Sequence, residues 1–169
     1  WHPASKRGAI FDTGADASAL IEKAKSSSVE VTHVFLTHTH RDHIMDLDRV
    51  HSAFPHAAIH VGEREPMADA LPIVHGDTFQ VGGLSVAGRL TWGHAEGGIT
   101  YVVDGLPSPV AVVGDAIFAG SMGGGMVSYA DALRTNREEI LSLPDQTILC
   151  PGHGPLTTVG EEKAHNPFF

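Results

Sequence analysis

Four side chains able to ligate a metal ion fall within one short stretch, Thr37-His38-Thr39-His40-Arg41-Asp42-His43. The stretch follows an apolar run, residues 31–36, which reads as a buried strand opening into a loop at a sheet edge. In extended backbone, residues two apart point the same way, so His38 and His40 can reach one ion together. Asp42 and His43 can turn toward a second point as the chain enters a helix. Imidazole suits zinc, iron and other transition ions, and carboxylate suits harder or mixed sites. One His-x-His pair would carry little weight in a chain with 12 histidines. The added Asp and third His, at the end of a strand, point to a metal site.

Three single residues share that setting. His94 follows a strand at residues 90–92, Asp115 follows one at 110–113, and His153 follows one at 147–150. Each sits beside glycine, and each alone would read as a turn residue. With the cluster they make five histidines and two aspartates, enough for two metals, although spacing alone does not bring them together. Asp12, at another strand end, reads equally as a turn or capping residue and as a partner that orients a ligand histidine.

The elements that must position these groups are strands interleaved with fewer helices, as expected for helix and sheet layers around one core. Residues 8–11 read as a strand. Residues 17–25 read as a helix, with Ala17, Leu20, Ile21 and Ala24 at helical spacing. A helix is expected over 44–54, ended by Pro55, then a strand over 57–61. Residues 63–71 read as a helix or irregular turn near Pro66 and Pro72. Gly82-Gly83 marks a hairpin between strands 78–81 and 84–86. Strands follow at 90–92, 99–103 and 110–113, a helix from near Ser128 to Leu143, a last strand at 147–150 and a short helix over 161–165. Residues 1–7 read as a strand end and a hairpin turn, which leads us to expect a partner strand before Trp1.

The totals narrow the function. A chain of 169 residues is one domain, residues 1–169, by the usual size prior. The formal net charge of −9, with no basic cluster, argues against a nucleic-acid partner. No stretch approaches a membrane span and no signal peptide opens the chain, so no membrane partner and a cytoplasmic location are expected. Cys150 is the one cysteine, which rules out an intrachain disulfide; it reads as a small packed hydrophobe. The glycines of residues 119–125 do not follow phosphate-loop spacing.

At the histidine cluster the chain resembles the metallo-β-lactamase superfamily, and from about Gly8 onward its short, glyoxalase II-like hydrolases. Five pieces carry the resemblance, in the family's order: Asp12-Thr13-Gly14, the cluster itself, Gly93-His94-Ala95-Glu96-Gly97-Gly98, Gly114-Asp115-Ala116-Ile117-Phe118-Ala119-Gly120-Ser121 and Pro151-Gly152-His153-Gly154-Pro155. The resemblance implies an αββα sandwich of the α/β class, with metals at one edge. It implies a first metal on His38, His40 and His94, a second on Asp42, His43 and His153, and Asp115 bridging both. The remaining seven histidines, His2, His33, His51, His56, His60, His75 and His165, match no family ligand and are assigned to surface or packing. Two divalent ions, zinc first with iron or manganese also suited, would lower the pKa of a shared water toward ~7. The implied reaction is hydrolysis of a small-molecule acyl thioester, with Asp42 as the catalytic residue that orients the nucleophile or shuttles its proton. The chain departs from the longer glyoxalase II enzymes in lacking their basic C-terminal extension and any basic residue over 121–126; Arg41 and Lys163 are the candidate substitutes. A single-iron persulfide dioxygenase, a lactonase and a non-catalytic metal-stabilised binding domain remain as alternatives. The oligomeric state is not set by the sequence.

Overall fold

In the computed structural model, which describes residues 1–169, two sheets face one another and helices cover both outer surfaces. The first sheet contains β1 (Arg7–Phe11), β2 (Glu30–Phe35), β3 (Ala58–Gly62) and β4 (Ala70–Ile73), all parallel and in that order. Helices α1 (Ser18–Ser26), α2 (Arg41–Ile44) and α3 (Leu47–Ala53) come from its crossovers. The second sheet holds six strands: β5 (Thr78–Val81), β6 (Leu84–Leu90), β7 (Ile99–Asp104), β8 (Val110–Gly114), β11 (Ile148–Pro151) and β12 (Thr157–Thr158). They run β12-β11-β8-β7-β6-β5, mostly antiparallel, with one parallel pairing of β11 on β8. A two-residue ribbon, β9 (Ile117–Phe118) with β10 (Ser121–Met122), follows β8. Helices α4 (Tyr129–Thr135) and α5 (Val159–His165) complete the chain, and α4 runs into a π-helical turn at Asn136–Ile140. No helix is long and apolar enough to cross a membrane.

Side-chain alternation explains the layering. Along β7, Ile99, Tyr101 and Val103 face the space between the sheets, and Val102 faces outward. Along β2, Phe35 points between the sheets while Val34 packs outward against α1 and α3 through Ile21, Ala24 and Val50. On the far surface Ala111, Val113 and Leu149 pack against Ile140, Leu141 and Val159. The result is the expected αββα sandwich, both faces of each sheet buried where central strands such as β2 and β7 carry apolar groups on both sides.

Three elements differ from the sequence expectation. The helix expected over 44–54 is interrupted at Met45 and Asp46, because Asp46 serves a distant helix. Its Oδ2 accepts the Ala17 amide at 2.8 Å and so ties down the residue that leads into α1. Residues 63–71, read as a helix or irregular turn, form a turn and then β4. Pro72 is tolerated there because β4 is an edge strand, where one side of the backbone needs no ladder donor. The helix expected from Ser128 to Leu143 starts as predicted, with Ser128 Oγ accepting the Asp131 amide. It changes to the π-helical turn at Asn136, whose buried Nδ2 donates to the Ala116 carbonyl at 2.9 Å.

His60 is a packing histidine of an unusual kind. It lies between the sheets, 4% exposed, stacked on Phe35 and His33 at 5.1 and 5.4 Å, with neither ring nitrogen hydrogen-bonded. Burial, reinforced by His33, lowers its pKa to about 4. The unfolded chain takes up a proton near pH 6.5 that the folded one refuses until about pH 4, so stability is lost as pH falls through that window. Unfolding free energies from denaturant titrations between pH 7 and pH 4 will fall in the wild type by up to about 3 kcal/mol from this ring. His60→Leu will flatten that slope by close to one proton; an unchanged slope would remove His60 as its source.

Candidate metal centre

All seven sequence-predicted ligands lie at strand ends along one edge of the sandwich. His38 and His40 follow β2, His94 follows β6, Asp115 follows β8, and His153 follows β11; Asp42 and His43 lie on the short helix α2. Two backbone bonds join these ends. The Ile99 amide donates to the Thr37 carbonyl at 2.8 Å, linking the second sheet to the histidine loop. The Gly152 amide donates to the Gly114 carbonyl at 2.9 Å, setting the Asp115 and His153 loops side by side.

The ligand-type atoms form two groups that share Asp115. In the first, His38 Nε2 and His94 Nε2 each lie 3.0 Å from His40 Nδ1. In the second, His153 Nε2 lies 3.1 Å from Asp42 Oδ2, and His43 Nε2 is 3.9 Å from the same oxygen. Asp115 stands between: Oδ1 is 3.3 Å from His43 Nε2, and Oδ2 is 3.6 Å from both His94 Nε2 and His153 Nε2. Glycine makes this crowding possible. A Cβ at residue 152 would run into the Asp115 carboxylate and the His43 ring, and one at Gly114, whose φ is +51°, would strike the Thr37 side chain.

Outer hydrogen bonds fix which nitrogen three of the rings present. His43 Nδ1 donates to Asp12 Oδ2 at 2.8 Å, leaving Nε2 inward. The Thr37 hydroxyl donates to the same oxygen at 2.8 Å and so receives His38 Nδ1 at 3.0 Å. Asp12 Oδ1 accepts the Thr37 amide at 2.7 Å. His94 Nδ1 donates to the Gly124 carbonyl at 2.9 Å. Asp12 therefore takes the orienting role that the sequence left open beside a capping one. Its φ of +52° is a left-handed conformation that Asp tolerates better than most residues.

These residues fit divalent cations on physical grounds. His43 Nε2 and Asp115 Oδ1 are buried and face each other 3.3 Å apart, and the ring nitrogens of His38 and His94 converge on His40 Nδ1. Burial, with His43 next, pushes the His38 pKa down to about 3, so the ring stays neutral as a ligand must be. For His43 burial acts downward, but Asp115 and Asp12 outweigh it and raise the pKa to about 10. A bound cation would displace that proton. Burial raises the Asp115 pKa, yet hydrogen bonding and charge from His43 outweigh it and the net shift is downward. Asp42 and His153 are more open, with side chains 54% and 56% exposed.

Sequence reasoning missed Glu65. Its Oε2 accepts the Thr39 amide at 2.9 Å and the Thr39 hydroxyl at 3.0 Å, holding the residue between His38 and His40. Nothing in the segment around Glu65 signals this, because the partner lies 26 residues away. The structure bears on two other sequence readings. Lys163, a candidate substrate cation, is paired with Asp145 at 2.7 Å. Cys150 is half-buried with its thiol pKa raised by burial, in keeping with a packing role.

Residues 4–153 match the profile of the metallo-beta-lactamase superfamily, and the chain belongs to that family. Among its relatives is a probable metallo-hydrolase of Streptococcus pyogenes serotype M6, 31% identical over 95% of this chain and 80% of the relative. The hydroxyacylglutathione hydrolase GloC of Haemophilus influenzae is 29% identical, over 97% of this chain and 88% of its own. Among solved structures, the B3 metallo-beta-lactamase BLEG-1 superposes with a TM-score of 0.82 at 29% identity, covering 98% of this chain and 90% of that one.

The hydrogen bonds of Asp12 predict the effect of changing it. Asp12→Ala frees His43 and Thr37 together and will weaken divalent-metal affinity about 10- to 100-fold in chelator competition. Asp12→Asn, which keeps the shape but not the charge, will fall between the two. Wild-type affinity in Asp12→Ala would show that His38 and His43 are positioned by other contacts.

Proposed function

We propose that the chain is a dinuclear metal-dependent hydrolase acting on acyl thioesters of the hydroxyacyl-thiol type. The observation that carries the reading is the pair of three-ligand groups sharing Asp115 at the open edge of a metallo-beta-lactamase fold. On this reading His38, His40 and His94 hold one cation, Asp42, His43 and His153 hold the other, and Asp115 contacts both. Zinc, iron and manganese all suit this donor set. When bound, such a pair of cations acidifies water and polarises a carbonyl oxygen.

The chain's own residues supply the rest. Asp42 is an exposed carboxylate whose Oδ2 lies 3.1 Å from His153 Nε2, with its pKa lowered first by its own backbone amide. It is therefore ionised at neutral pH and can accept a proton from the attacking water at Oδ1, leaving Oδ2 to the cation, then return one to the departing thiolate. Asp12 and the Gly124 carbonyl hold His43 and His94 in fixed tautomers, so the ligand nitrogens need not reorganise as charge develops. The buried flank at Thr37, His38 and Asp115 keeps water from the inner side. The hydroxyacylglutathione hydrolase relative supports the thioester class.

The test is hydrolysis of S-lactoylglutathione and neutral acyl thioesters by metal-loaded protein. Thioester turnover is expected, and Asp42→Asn will lower kcat by about 10²- to 10⁴-fold. Metal-loaded protein that cleaves lactones but no thioester would overturn the thioester assignment.

A further inference from the structure

Glu65 stands behind the first ligand group rather than in it. His38 Nε2 and His40 Nδ1 face one another 3.0 Å apart, and Thr39 between them meets Glu65 instead, as alternation along extended backbone allows. Glu65 lies on the turn between β3 and β4. Its Oε2 accepts the Thr39 amide at 2.9 Å and the Thr39 hydroxyl at 3.0 Å. That amide belongs to the peptide joining His38 to Thr39. The two bonds therefore fix the backbone between the two rings as well as the Thr39 side chain.

The same turn also holds the other arm of the group. His94 lies in a loop closed by the Thr91 amide, which donates to the Gly98 carbonyl at 2.8 Å. Glu65 packs on that loop, since a Cβ at Gly97 would lie 3.0 Å from the Glu65 nitrogen, Cβ and Cγ. A Cβ at Gly62, the last residue of β3, would strike the Gly97 carbonyl. Arg64 lies over the ring of Trp92, two residues before His94, 5.0 Å from its centroid. The Glu65 amide closes the turn itself, donating to the Gly62 carbonyl at 2.9 Å. Residues 62–65 thus strap together the two chain segments that carry His38, His40 and His94. Glu65 makes no hydrogen bond to Asp42, His43 or His153, whereas Asp12 serves both groups.

We infer that Glu65 is a positioning residue for the first ligand group alone, holding the His38–His40 loop through Thr39 in fixed relation to the His94 loop. The inference rests on the two-cation reading proposed above and divides its supporting contacts between the two cations. Without the carboxylate the peptide between His38 and His40 is released. The incoming cation must then order that loop itself, and affinity falls.

Zinc affinity by chelator competition, measured in two backgrounds, tests this role. His153→Ala leaves the first group intact, and His40→Ala leaves the second. Glu65→Ala will weaken zinc binding about 10- to 100-fold in the His153→Ala background. It will leave affinity in the His40→Ala background unchanged. Glu65→Gln, whose amide oxygen can accept both Thr39 bonds, will restore most of the loss. Where Glu65→Ala does not fold, Thr39→Val removes the hydroxyl bond alone, and a smaller loss confined to the same background is expected. An equal loss in both backgrounds would show a general structural role, and no loss in the first would show that other contacts hold the loop. Either result would overturn the role of Glu65 while leaving the two-cation reading in place. A chain that binds no zinc with Glu65 intact, in the wild type and in both backgrounds, would overturn the two-cation reading and this role with it.

Discussion

The Asp12 carboxylate is the contact on which the site's geometry depends. One oxygen holds the Thr37 amide, and the other receives the Thr37 hydroxyl and His43 Nδ1, at 2.7, 2.8 and 2.8 Å. Through Thr37 it also sets His38. A single acidic group at the end of β1 thus orients one histidine from each of the two ligand groups. The neighbouring residues reinforce it, since the amides of Thr13 and Gly14 both donate to the His43 carbonyl. A half-buried carboxylate with this many donors is held rigid, which is what a ligand cage needs if its nitrogens are to stay apart until a cation joins them.

The fold serves that contact. Parallel pairing of β1 with β2, and of β8 with β11, brings Asp12 beside Thr37 and Asp115 beside His153 at one edge. The Tyr101 hydroxyl, buried between the sheets, donates to the Leu36 carbonyl at 2.7 Å and pins the strand just before the histidine loop. Packing on both outer surfaces leaves the strands little freedom to slide, so the loops inherit their positions from the core.

Much of this was legible in the sequence, and the parts that were not share a cause. His38, His40, Asp42 and His43 stand out because several donors crowd one strand end. His94, Asp115 and His153 gain meaning from the glycines beside them and from the family resemblance, and the structure brings all seven together. Asp12 was half legible, as a strand-end residue with two readings. Asp46 and Glu65 were not, because the groups they hold, Ala17 and Thr39, lie far off in sequence. The edge strand β4 was hidden by its proline, since a helix-or-turn reading ignores which side of a strand lies open. The His60 ring gave no local signal of burial, for it is enclosed by Phe35 of the neighbouring strand and Phe79 of the facing sheet.

Function on this reading requires the two ligand groups to bind two cations that share Asp115. Elemental analysis of protein purified without chelator, wild type beside Asp115→Ala, tests this most directly. Close to two divalent metals per chain in the wild type, falling in the variant, is the expected result. A folded protein with no metal, with one, or with two that survive loss of Asp115 would contradict it.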